Sequence, residues 1–407
     1  MLGDTLCNRD VPMKYGRVAA IAVVLALILL SVAAQPAAAN PETRRDSLRA
    51  YIDDHYDAVE GGYHLPTSDF SRNEPTFAAI AILDDLRILG LRPPFKAPED
   101  FVKMIEFTID LQRNVTDEEH GGFGESAFGV VDQYTTYNAV NLFYLLSSQD
   151  DIPGISGKAI NETAVLTWIN TTQTTSGGFS NQPGDSPDIV STFYALHTVD
   201  SVLGDVPGAL EDWLLNETAT IEWISSCREG DAYKLSPTSS IAGVTPTAAA
   251  LMSLSILEAL PSASEIQSIT DWVIARQVKT SDGGGFLGGF EESLKSNDTN
   301  VASTYWALEV LDQFGGIESV NDSLAARFII DSQAVDGSWG LVPGIEKGRL
   351  YYAFYAIRSL SLIGQLDMLN EEDPNSPPPP LFDWKVALII GIIAVAAVGG
   401  FLSIRMD

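Results

Sequence analysis

The chain has 407 residues, 45% of them hydrophobic and 19% charged, and a formal net charge of -30. That length suffices for a large hydrophobic core, and the acidic balance excludes a broad basic footprint, so neither nucleic acid nor the surface of an anionic bilayer is an expected partner of the folded domain. With only Cys7 and Cys227 available, a disulfide framework is excluded as well.

Residues 1–39 read as a secretory signal peptide. Lys14 and Arg17 precede the apolar run Val18–Ala34, and Ala37-Ala38-Ala39 offers a small-residue cleavage site. Cys7 leaves with that segment, so Cys227 has no intramolecular partner.

Residues 40–370 carry a repeat of about 55 residues, and such a period governs the whole fold. The second glycine of a Gly-Gly-aromatic turn recurs at Gly62 (before Tyr63), Gly122 (Phe123), Gly178 (Phe179) and Gly285 (Phe286), with a variant at Gly337-Ser338-Trp339. The interval between Gly178 and Gly285 is two periods, and the missing unit falls at Gly230-Asp231-Ala232-Tyr233. Gln112, Gln173, Gln277 and Gln333 each end an apolar-periodic helix just before a turn. After each turn comes a second helix rich in Ala, Leu and Tyr: Thr76–Leu89, Tyr134–Leu146, Val190–Leu203, Thr245–Leu260, Val301–Phe314 and Leu350–Ile363. The glycines are expected to let the first helix stop and reverse through positive φ. Because the second helices are apolar on more than one face, the pattern predicts an all-α domain, a closed (α/α)6 toroid of six helix-pair repeats with the first helix of each pair outside and the second inside.

Beyond the domain, residues 371–385 form an acidic and proline-rich stalk through Glu371-Glu372-Asp373 and Pro377–Pro380. Val386–Ile404 is an uncharged run long enough to be a C-terminal transmembrane helix, leaving 405–407 as a cytoplasmic tail. Sequons at Asn114, Asn161, Asn170, Asn216, Asn297 and Asn321 outnumber chance expectation and point to a glycosylated, extracytoplasmic domain on a single-pass anchor.

The unit W-x-x-x-x-Q…GGF…D-x-x-x-x-[YF]-x-A-L, seen in Trp168–Leu196 and Trp272–Leu308, resembles the repeat of protein prenyltransferase β-subunits. The segment from Gln333 to Gly340 is similar to the repeat of squalene and oxidosqualene cyclases. The resemblance covers residues 42–366 and implies the toroid; fold does not carry activity with it. Prenyltransferases hold a catalytic zinc with an Asp, a Cys two residues on and a His of a later repeat. Those positions fall here on Asn300, Ala302 and Tyr352, so no metal or other cofactor is expected; zinc would be implied only if the resemblance extended to activity. The acidic D-x-D-D motif of the cyclases does not occur. Asp53-Asp54-His55-Tyr56-Asp57 matches the D-D-x-x-D of class I terpene synthases, although acidic runs on a first helix are commonly a solvated face. His197, on an inner helix, is the most interesting of the four histidines.

Two functions therefore stand side by side. One is a membrane-anchored module that binds an extracellular ligand or protein. The other is a divergent enzyme on the same toroid, either an isoprenoid or prenyl transferase or a polysaccharide-active enzyme using a carboxylate pair drawn from Asp132, Asp188 and Asp298. In both, the ligand is expected at the mouth formed by the N-termini of the inner helices, among Arg72, Asp132, Tyr134, Asp188, Asn300, Arg349 and Tyr352, with helix capping as the competing role for the carboxylates.

Overall fold

The computed structural model describes residues 42–86, 98–114, 118–148, 154–204, 213–280, 285–294 and 298–375. Signal segment 1–39, Asn297 and Val386–Ile404 lie outside the described residues. Among those described, no helix is long and apolar enough to cross a membrane. Thr43–Glu371 form one compact unit. Of the other unit only Glu42 and 372–375 are described, where the Asp373 N–H donates to the Glu42 carbonyl at 2.9 Å.

Among the described residues, six outer helices, α1 (Arg44–Asp54), α3 (Pro98–Asp110), α5 (Glu162–Thr172), α7 (Glu217–Ser226), α9 (Ala263–Ile274) and α11 (Asp322–Asp331), alternate with six inner ones. The inner helices are α2 (Asn73–Asp85), α4 (Gln133–Ser147), α6 (Ile189–Leu203), α8 (Val244–Ile256), α10 (Val301–Phe314) and α12 (Leu350–Leu362). Each inner helix packs on the inner helix before and after it, and α12 packs on α2, which closes the ring. Burial follows the sequence pattern. In α8 every residue from Pro246 to Leu254 is buried, whereas in α9 only Ile269, Thr270 and Val273 are.

The prediction of α8 as Thr245–Leu260 overshoots. Its chain leaves the helix at Leu257, Glu258 takes φ 51°, and the Ala259 N–H returns to the Leu254 carbonyl at 2.8 Å. A left-handed residue with this backward bond is a helix stop, and Pro261 could not have continued the ladder.

Two small antiparallel sheets depart from the all-α expectation. β1 (Tyr56–Asp57), β2 (Gly62–His64) and β3 (Ser71–Arg72) pair as Tyr56↔Tyr63 and Tyr63↔Arg72. In the fourth repeat β4 (Arg228–Glu229), β5 (Ala232–Lys234) and β6 (Ala242–Gly243) pair as Arg228↔Tyr233 and Tyr233↔Gly243. The remaining repeats keep the same hairpin as isolated bridges, such as Gln112↔Phe123, Gln173↔Phe179, Gln277↔Phe290 and Gln333↔Trp339.

These hairpins correct the glycine doublet of the fifth repeat. It is Gly288-Gly289 before Phe290, not Gly285 before Phe286: Phe290 is fully buried and pairs with Gln277, whereas Phe286 is 42% exposed. The doublets also do more than end a helix. Gly121, Gly177 and Gly288 have φ between 96° and 99°, and a Cβ on each would overlap the carbonyl oxygen of Ala164, Ala219 or Leu324 on the next outer helix. Glycine is required both for the left-handed turn and for this close approach.

The glutamines stitch neighbouring repeats. Gln112 Nε2 donates to the carbonyls of Gly121 (3.1 Å) and Asn161 (2.9 Å), and its Oε1 accepts the Asn161 N–H at 2.8 Å. Gln277 makes the same set with Gly288 and Asn321. Gln333 Nε2 donates to the Arg44 carbonyl at 3.0 Å and its Oε1 accepts from Arg44 Nη1 at 3.1 Å, sealing the sixth repeat to the first. Where the glutamine is missing, Tyr56 bonds Asp100 (3.1 Å) and Arg228 bonds Glu265 (2.6 Å) at the same junction. In the first five repeats the aromatic of the turn is locked in turn by a threonine of the inner helix. Thr76, Thr136, Thr192, Thr247 and Thr304 accept the N–H of Tyr63, Phe123, Phe179, Tyr233 and Phe290 at 2.8–3.1 Å.

Candidate ligand cavity

All six inner helices begin at one end of the ring, and there capping accounts for three of the seven predicted site residues. Asp132 is the N-cap of α4 and accepts the Thr135 N–H at 2.8 Å; Asp188 caps α6 through the N–H groups of Val190 (2.9 Å) and Ser191 (2.8 Å). Asn300 caps α10 by accepting the Ser303 N–H at 2.8 Å, and Asp298 offers its carbonyl to Asn300. Arg72 and Arg349 are the N-caps of α2 and α12 and make no side-chain capping bond. Arg72 instead lies over the Phe70 ring at 4.7 Å.

Two helices are capped from the next repeat. Glu125 accepts the Glu74 N–H of α2 at 3.3 Å, and Glu292 accepts the Thr245 N–H (3.1 Å) and hydroxyl (2.8 Å) of α8. The N-caps of these two helices themselves, Arg72 and Gly243, have no acceptor side chain. Burial, reinforced by Glu74, pushes the Glu125 carboxyl up to about 8. Burial also raises Glu74, against the lowering effects of a hydrogen bond from Tyr134 and of the Arg349 and Arg72 charges. Neither glutamate was singled out in the sequence, because capping across repeats leaves no local spacing to read.

Behind this end the ring is filled. Tyr134 packs on Tyr194 and Tyr351 at 5.6 and 5.4 Å, and Tyr351 on Tyr355 at 4.6 Å. Tyr352 is half-buried at the edge of this packing. The positions that hold zinc in prenyltransferases do not fit a metal here: Asn300 spends its side-chain oxygen on its helix, Ala302 has no donor atom, and Tyr352 offers only a phenol.

The other end of the ring is open. A cavity of about 410 Å³ enters between the C-terminal halves of the inner helices. Its composition follows helical register. The residues five after the N-caps form an aromatic floor from Tyr137, Phe193, Tyr305 and Phe354, with Trp306 beside them; those nine after supply a wall of Ala81, His197, Met252, Glu309 and Arg358. Asp84, Asp85, Asp200 and Gln313 rim it one turn farther out. Ring centroids across the floor lie 5.6 Å apart for Phe193–Trp306 and 5.7 Å for Tyr305–Phe354.

Arg358 bridges two carboxylates, Nη1 to Asp85 Oδ1 at 3.1 Å and Nε to Glu309 Oε1 at 2.8 Å. Burial lifts the Asp85 carboxyl to about 6 despite this partner. His197 meets Ser201 through Nδ1 at 3.1 Å, and burial pushes its imidazole down to about 4, so it is neutral at pH 7. Sequence reasoning found His197 but missed the rest of the cavity, although Asp84-Asp85, Glu309 and Arg358 are charges placed in otherwise apolar inner helices.

The sequons acquire a second explanation. Asn161, Asn216 and Asn321 are the N-caps of α5, α7 and α11, each accepting the N–H three residues on at 3.0–3.1 Å and followed by an acidic first-turn residue. Asn170 Nδ2 donates to the Trp213 carbonyl at 2.6 Å, while Asn114 is exposed. Of the D-D-x-x-D residues, Asp53 and Asp54 are exposed at the end of α1, and Asp57 accepts the N–H groups of Val59 and Glu60 in the turn that follows.

The profile of the prenyltransferase alpha-alpha toroid domain matches residues 12–204 and 184–384. Among solved structures, protein geranylgeranyltransferase-I of Candida albicans, complexed with GGPP, superposes with a TM-score of 0.62 over 85% of this chain and 98% of its own, at 14% identity. A type II terpene cyclase from Scytonema, in complex with geranylgeranyl dihydroxybenzoate, superposes at 0.50 over 80% of this chain and 97% of its own, at 13% identity. No curated protein matches the sequence.

Proposed function

Given that the chain belongs to the prenyltransferase alpha-alpha toroid domain family, we propose that it is a membrane-anchored, extracytoplasmic binding module whose ligand enters the cavity at the C-terminal ends of the inner helices. The observation that carries this reading is the contrast between the two ends. At the end where zinc-dependent relatives would hold their metal, Asn300, Ala302 and Tyr352 stand in the ligand positions and four tyrosines fill the ring. At the opposite end lies a cavity of about 410 Å³, of a size that small-molecule sites commonly have. Export and anchoring are supported by the signal-like start, the sequons and the uncharged run Val386–Ile404, with the stalk 371–385 holding the toroid off the bilayer.

The test is ligand binding by the full chain in detergent, followed by thermal shift against panels of isoprenoid diphosphates, glycans and organic amines. A ligand that is lost in Gln313→Trp, which places a bulky ring at the exposed rim, and kept in Arg349→Ala at the opposite mouth supports the reading. Binding that depends on Arg349 and ignores Gln313→Trp, or geranylgeranyl transfer to a cysteine peptide, overturns it.

A second reading, a divergent enzyme, draws support from Glu125, whose carboxyl stays protonated near neutral pH beside Glu74, Arg72 and Asp132. It requires turnover that Glu125→Gln abolishes.

A further inference from the structure

We propose that His55 and His64 form a binding site for a divalent transition-metal ion such as zinc, held by the Nε2 atoms of both imidazoles at the hairpin of the first repeat. The site is separate from the cavity and from Asn300, Ala302 and Tyr352.

The backbone sets the two residues opposite one another. His55 is the C-cap of α1 and His64 ends β2, and the His64 N–H donates to the His55 carbonyl at 3.0 Å. The second, third and fifth repeats make the same bond between other pairs, Leu111 and Gly124, Thr172 and Ser180, and Arg276 and Glu291. The hairpin therefore does not require two imidazoles at this place, and its packing alone does not account for them.

The side chains are held as metal ligands are held. Nδ1 of His55 lies 2.8 Å from the Tyr51 carbonyl, and Nδ1 of His64 lies 3.0 Å from the Leu65 carbonyl. A carbonyl can only accept, so each Nδ1 carries the proton and each neutral ring keeps its lone pair on Nε2. A carbonyl on the remaining ring N–H is the usual support of a metal-bound histidine. Neither Nε2 is hydrogen-bonded among the described residues, and both rings are half-buried. Their centroids are 5.1 Å apart; metal–nitrogen bonds of about 2.0–2.1 Å meeting at a tetrahedral angle put two ring centres roughly 5 Å apart. His55 also stacks on the buried Tyr51 at 4.1 Å, which fixes one ring against the core.

Paired imidazoles favour zinc, nickel and copper(II) over magnesium and calcium, which prefer oxygen ligands. Among the described residues no third histidine, cysteine or carboxylate completes the group, so water fills the remaining positions and the ion exchanges more readily than in a closed structural site. Bound there, the metal ties the end of α1 to β2 in the repeat where Tyr56, bonded to Asp100, stands in place of the junction glutamine.

The experiment titrates the untagged full chain in detergent with zinc and with nickel by calorimetry. The expected result is one ion per chain, a melting temperature that rises with zinc, no binding of magnesium or calcium at the same concentrations, and an affinity at least about tenfold lower in His55→Gln and in His64→Gln separately. In the unmodified protein, zinc should slow modification of His55 and His64 by diethyl pyrocarbonate, mapped by mass spectrometry, and leave that of His120 unchanged. If a variant loses its helical circular dichroism, this protection decides alone. Absence of saturable zinc binding, an affinity unchanged in either folded variant, or modification of the two histidines that zinc does not slow overturns the proposal, because coordination at two points requires both rings.

Discussion

Gly288 shows how much a single position decides in this ring. Its φ of 96° and its contact with the Leu324 carbonyl of the next outer helix are separate demands. Gly184 makes only the first, with φ 90° and open space around it. Gly288→Ala should therefore cost at least ~2 kcal/mol and clearly more than Gly184→Ala, as read from chemical denaturation of the two variants; equal costs would mean that docking contributes nothing. Glu125 makes a different demand. A carboxyl whose pKa is raised on folding stabilises the folded chain below the ordinary carboxylate range, and that contribution is lost as pH rises through the folded value. With Glu125 at about 8 and Asp85 at about 6, the decline between pH 6.5 and 8.5 reports mainly on Glu125. Melting temperature should fall across that window in the unmodified protein and fall less in Glu125→Gln; parallel curves would refute the assignment.

At the scale of elements, the inner helices start in three ways: capped by their own residue, capped from the next repeat, or without a side-chain cap. Asp188 belongs to the first group and Arg349 to the last. Asp188→Ala should lower stability by about 1 kcal/mol, and Arg349→Ala should change it by no more than about 0.5 kcal/mol. Matching losses in denaturant titrations would contradict this division. The same local chemistry explains why part of the sequon excess is legible in two ways: Asn followed by an acidic residue and Thr or Ser reads both as a glycan acceptor and as the start of an outer helix, and at Asn161, Asn216 and Asn321 the helix start is present.

For the whole molecule, ring closure depends on Arg44 and Gln333, nearly 300 residues apart, and on α12 packing against α2. The proposed topology sets the toroid outside the membrane on one C-terminal span. Protease added to right-side-out vesicles should digest residues 43–371 and spare a tag at Asp407; the reverse pattern would place the domain on the other side.

The sequence by itself determined the number of repeats, the order of outer and inner helices and the closed ring, because helical periodicity and positive-φ glycines are local and recur at a fixed interval. It named the N-caps Asp132 and Asp188 for the same reason, but before the fifth inner helix it offered Asp298 where Asn300 is the cap. In the fifth repeat, with glycine-rich residues from 283 to 289, it chose the wrong doublet, since only the partner helix decides which glycine must lie against a carbonyl. Tertiary structure alone decided which end of the ring is open. The floor and rim combine one residue from each of several inner helices, separated by about 50 positions in the chain, and no local pattern records that Tyr137, Phe193, Tyr305 and Phe354 share one layer, or that Arg358 finds Asp85 and Glu309 above it.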